Sequence, residues 1–150
     1  MGTTNGVAEL EGTEGEYVKE SSAVQAIISW YGASNLATIL AQSTPFGLSV
    51  REAALKRLLG ATPEQVPALV KLASPVAHVS AGDPPALLMH GNQDRQMPVN
   101  QTLELEAAYR RAKLSVDTLI LDSAGHGDRV FMGGEAAERA VAFLRQAIGR

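Results

Sequence analysis

Three short, nearly uncharged apolar runs alternate with segments of helical pattern, and this order most constrains the fold. The runs are AVQAIISWY at 23–31, ALLMH at 86–90 and VDTLIL at 116–121. Each is too short for a core helix, and Gly32, Gly91 or the polar Asp122-Ser123 pair closes it. Such runs suit strands of a parallel sheet, where helices cover both faces. The first is expected to be buried on both faces. Strands that recur with helices between them must pair in parallel, because each crossover returns the chain to the same end of the sheet. The expectation is an α/β domain of three layers around a short, mainly parallel sheet.

The helices carry local punctuation. Ser49-Val50-Arg51-Glu52 reads as a capping box opening a helix through Leu55, Leu58 and Leu59, with Gly60 as its stop. Thr62-Pro63-Glu64-Gln65 reads as another, running to about Ala73. The two form a cover over one end of the sheet. A helix over 100–114 presents Leu103, Ala107 and Leu114, and one over 135–148 presents Ala137, Val141, Leu144 and Ile148. Residues 1–20, with four glycines and five glutamates and little apolar periodicity, form a loosely ordered lead-in to a domain over 21–150.

Composition narrows the function. At 150 residues with 45% apolar and 19% charged content the chain has material for one compact core. A net charge of −3 with no basic run argues against nucleic acid and anionic membrane as partners. The absence of cysteine removes disulfides, thiolate metal sites and cysteine nucleophiles. No apolar run nears the roughly 18 residues of a membrane span, and the start lacks the pattern of a secretory signal. A cytoplasmic location and no cofactor are the expectations.

Chemistry in an open α/β sheet gathers in loops at the carboxyl ends of the strands. Here those loops carry Ser34, Asp94 and His126. A carboxylate beside an imidazole fixes its tautomer and stabilises the imidazolium formed when the other ring nitrogen takes a proton. Gly125 and Gly127 are expected to let the backbone turn around His126. Ser34 is the candidate nucleophile, although Leu36 stands where a nucleophile elbow needs a small residue. Ser123 is a weaker one. His90 reads as structural beside the Asp94 loop, His78 has no partner in view, and Trp30 and Tyr31 read as core or rim packing. A metal site from Asp83, Asp94, His126 and Asp128 lacks tight ligand spacing, so none is expected.

The run from Ser74 to Gly127 contains HGNQDRQMP, of pattern HGxxDxxxP, and then GHG. With VQAIISWYGASNL upstream, it resembles the C-terminal half of α/β-hydrolases of the esterase, feruloyl-esterase-like and prolyl-oligopeptidase-like branch. The resemblance covers about Ser22 to the C-terminus. It implies that Asp94 is the triad acid and His126 the triad base of a carboxylester hydrolase acting on a small ester. The family's serine lies upstream on a G-x-S-x-G elbow, a pattern these 150 residues do not contain, nor do they contain an HGGG-type segment. The expectation is therefore a truncated hydrolase that begins after the nucleophile. Attack would come from Ser34, a water activated by His126, or a partner chain. The family also places the nucleophile strand beside the strand at 23–30. Without it that edge is apolar and uncharged, which implies pairing with a second copy into a homo-oligomer. Antiparallel pairing would set the two rims at opposite ends. The alternative is a catalytically silent half-domain that self-associates or complements a partner.

Overall fold

The computed structural model describes residues 2–149. In chain order the elements are α1 (Ala8–Glu11), β1 (Ile27–Trp30), α2 (Ile39–Gln42), α3 (Pro45–Leu59), α4 (Pro67–Leu72), β2 (Ala86–Gly91), α5 (Asn100–Arg111), β3 (Val116–Leu121) and α6 (Gly134–Ile148). Single 3-10 turns lie at Pro63–Gln65, Pro75–His78 and Arg129–Met132. The sheet runs in the order β1-β2-β3 and is parallel throughout, with Ile27 opposite Ala86 and Ala86 opposite Val116.

All six residues of β2 are buried, as befits the central strand. Strand alternation sends Leu87 and Met89 to one face, where they meet Leu119, Phe131, Ala136 and Ala140. Ala86 and Leu88 point the other way, onto Leu105 and Tyr109. Helices α5 and α6 therefore sandwich the sheet, giving the three layers expected. A separate cluster of Leu36, Ile39, Leu55, Leu59, Val70 and Met97 joins α2, α3 and α4 to the loop after β2.

Several local expectations need correction. β1 is four residues long and only half-buried, with Trp30 40% exposed, because no strand among the described residues pairs with its outer side. Helix α3 starts at Thr44, whose hydroxyl accepts the Gly47 N–H, with Pro45 in the first turn; Ser49 lies inside the helix. Gly60, at φ 75°, ends it as expected. The Thr62 segment closes only a 3-10 turn, and helix resumes at Pro67. Proline lacks the N–H that would continue the first turn and disfavours helical geometry at Val66, which sits at φ −132°.

Two helices face the sheet differently from their apolar pattern. The buried side of α5 is Gln101, Thr102, Leu105, Ala108 and Tyr109, while Leu103 is exposed. Periodicity of apolar residues alone misplaces this face, because its first turn buries two polar side chains that have partners. In α6 the small residues Ala136 and Ala140 approach the sheet, with Phe143 beside them. Val141, Leu144 and Ile148 are left exposed. Arg139 bridges α6 to β3 through paired hydrogen bonds of 2.8 and 2.6 Å to Asp117, which hold the Asp117 carboxyl pKa below its ordinary value.

Candidate active site

The loops leaving β2 and β3 are stitched together. Asn92 N–H donates to Leu121 O and Gln93 N–H to Ala124 O, both at 3.0 Å. The Asn92 amide donates to Asp122 at 2.8 Å and accepts the Ser123 N–H at 2.9 Å, with Ser123 in the left-handed region at φ 61°. Gly91 makes the approach possible: a Cβ there would stand 2.2 Å from Ala124 O. Of the two glycines flanking His126, Gly127 has φ 70° and needs glycine. Gly125 has neither a positive φ nor a close neighbour, so its expected role is not required.

This stitching brings Asp94 and His126 together. The Asp94 Oδ1 accepts the Gln96 and Met97 N–H groups, each at 2.8 Å, in a tight turn. Its Oδ2 lies 2.7 Å from His126 Nδ1. The Asp94 side chain is fully buried and the His126 side chain 29% exposed. A carboxylate only accepts, so Nδ1 carries a proton, and in the neutral ring Nε2 is the nitrogen with the lone pair. Among the described residues Nε2 has no hydrogen-bond partner.

Four neighbours hold this pair. His90, fully buried, bonds Thr102 Oγ1 through Nδ1 at 2.6 Å and Met97 O through Nε2 at 3.0 Å, with Nε2 3.4 Å from Asp94 Oδ2. Burial pushes its pKa below the ordinary histidine value, so the ring braces the acid loop as a neutral group. Arg51 on α3 donates to Gln96 O, and Thr44 Oγ1 donates to Arg95 O at 2.7 Å. The α3 cover thus grips the outside of the turn whose inside Asp94 holds. Tyr31, just past β1, packs its ring 4.4 Å from His126.

The structure does not bring Ser34 to the pair. Its side chain is buried, 1% exposed, and its hydroxyl donates to Gln101 O at 2.5 Å. Ser123 is exposed on the loop before His126, and His78 Nε2 lies 2.7 Å from Leu72 O. Among the described residues no group of three or more ligating side chains could hold a metal, and no helix is long and apolar enough to cross a membrane.

Sequence reasoning missed Gln101. Fully buried in the first turn of α5, its Oε1 accepts the N–H groups of Ser34 and Asn35 at 3.0 and 2.8 Å. Its Nε2 donates to Thr38 and Gln42 at 3.2 and 2.7 Å. Nothing in an isolated glutamine signals this; only the buried polar face of α5 does. Replacing Gln101 with Leu strands those donors and acceptors, and urea denaturation should show a loss of about 3 kcal/mol or more.

A parallel sheet between helix layers, with a carboxylate and an imidazole paired across adjacent strand-end loops, fits the α/β-hydrolase fold. Residues 1–109 match the profile of the family described as BD-FAE. The chain belongs to that family.

Solved structures agree. A truncated form of a carbohydrate esterase from gut microbiota is 28% identical, with a TM-score of 0.86 over 99% of this chain and 54% of its own. A bifunctional GH43-CE protein of Bacteroides eggerthii is 25% identical, with a TM-score of 0.82 over 98% of this chain and 21% of its own. The Est2 esterase of Thermogutta terrifontis, 24% identical over 92% of this chain and 48% of its own with a TM-score of 0.62, shares the fold. The chain thus spans about half the length of the first of these, and it corresponds to the C-terminal half of an α/β-hydrolase. No curated protein matches the chain.

Proposed function

We propose that the chain carries the acid–base half of a carboxylester-hydrolase site, with Asp94 as acid and His126 as base. The observation that carries this reading is the 2.7 Å hydrogen bond from His126 Nδ1 to a buried carboxylate, with Nε2 left free. The family and its esterase neighbours supply the reaction class. The first neighbour's description supports an acyl ester borne on a carbohydrate as substrate.

The chemistry follows from the geometry. An attacking O–H gives its proton to Nε2 as its oxygen adds to the ester carbonyl carbon. Asp94 stays ionised and stabilises the imidazolium. Collapse of the tetrahedral intermediate breaks the acyl–oxygen bond, and the Nε2 proton passes to the departing alkoxide. With water attacking, the products are a carboxylic acid and an alcohol.

The burial of Ser34 favours water as the attacking group in the chain by itself. A hydroxyl supplied by polypeptide docked along β1 would replace it in a full site. Intact-mass analysis after treatment with a serine-directed fluorophosphonate checks this directly. No adduct is expected on Ser34; an adduct there that vanishes in His126→Gln would make Ser34 the nucleophile.

A second reading, a half-domain that self-associates, is favoured by the outer side of β1, which has no strand partner among the described residues, and by the exposed Trp30. It expects a dimer in sedimentation velocity at tens of micromolar protein. A monomer under those conditions would overturn it.

A further inference from the structure

Tyr31 has a backbone that its own side chain disfavours. It sits at φ 43°, in the left-handed region that an aromatic residue rarely enters. Such strain persists only where the surroundings over-determine it, and it gathers at functional sites. Here the surroundings do so from both sides. The Tyr31 N–H donates to Met89 O at 2.7 Å, and Gln101 grips Ser34 and Asn35 just beyond.

The turn places the tyrosine ring against His126, with centroids 4.4 Å apart and planes inclined at 56°. Phe131 meets the same ring edge-on at 4.9 Å and is itself buried in the core. Among the described residues the imidazole has one hydrogen bond, to Asp94. A ring held by one bond can still swing about it, and a rigid ring wedged against it at a tilt restricts that swing.

We propose that Tyr31 is a positioning residue for His126. Its ring, backed by Phe131, holds the imidazole so that Nδ1 stays on Asp94 and Nε2 stays open to the attacking group. The functional meaning rests on His126 being the base, but the test reads the ring itself.

The test is NMR measurement of solvent exchange at the His126 Nδ1 proton in the full chain, assigned by its loss in His126→Gln. Tyr31→Leu keeps apolar bulk against Phe131 without a flat face, and Tyr31→Phe keeps the ring. Exchange should accelerate about tenfold or more in Tyr31→Leu and stay within about twofold of wild type in Tyr31→Phe. Unchanged exchange in Tyr31→Leu with a dispersed amide spectrum would overturn the proposal.

Should Tyr31→Leu fail to fold, Phe131→Leu leaves Tyr31 in place and removes the edge-on support together with some core volume, so it is read only with a dispersed amide spectrum. It should accelerate exchange about threefold, and no change there would overturn the proposal equally. Ester hydrolysis that survives His126→Gln would sink the base assignment but leave the exchange result standing.

Discussion

Asp94→Asn should lower His126-dependent ester hydrolysis about 100-fold or more while leaving the chain folded. The size of the effect follows from which oxygen does what. Asp94 Oδ1 accepts two backbone N–H groups, from Gln96 and Met97. An asparagine must keep its single oxygen there, because turning the amide would set two N–H donors against two others. Its NH2 group then points at His126 Nδ1, where Oδ2 had accepted the hydrogen bond from the Nδ1–H. The imidazole answers by moving its proton to Nε2, and a protonated Nε2 cannot act as a base. The variant is nearly isosteric, so circular dichroism and melting should change little while the p-nitrophenyl acetate rate collapses. A rate within about twofold of wild type would show that the tautomer is immaterial to hydrolysis.

Gly91→Ala should be the most damaging single methyl in the chain. The new Cβ would stand 2.2 Å from Ala124 O and 2.6 Å from Ala124 C, both backbone atoms. The crossing loops are also tied there by the Gln93 N–H to Ala124 O bond, so neither can retreat without breaking the stitching that aligns acid with base. Overpacking against backbone makes a loss of about 3 kcal/mol or more the expectation, which is about 10 °C in Tm for a domain of this size. Gly125→Ala, one residue from His126 but facing open space, serves as the control and should melt within about 2 °C of wild type. Equal melting of both variants would mean that the approach at Gly91 is not rigid.

These contrasts show what could be read from residues alone. The three apolar runs placed the strands because strand order follows from run length and punctuation, and HGxxDxxxP with GHG located Asp94 and His126 on facing loops. Ser34 could be placed at a strand end, but only tertiary packing decides whether a hydroxyl faces the rim or a neighbour's carbonyl, and it faces Gln101. The faces of α5 and α6 were misread for one physical reason. Apolar periodicity marks a stripe of apolar side chains, whereas α5 buries hydrogen-bonded polar groups and α6 uses alanines for close approach. Tyr31 reads from the sequence as core or rim packing, and it does pack on the core beside Phe131; its strained φ and its contact with His126 have no local sequence signature.

The most direct test of the central claim is the rate of p-nitrophenyl acetate hydrolysis by the chain and by His126→Gln, purified in parallel. A base at His126 requires the wild-type rate to exceed the variant's by about 100-fold. Equal rates in two folded proteins would contradict it and leave the Asp94–His126 pair as a structural hydrogen bond between two loops.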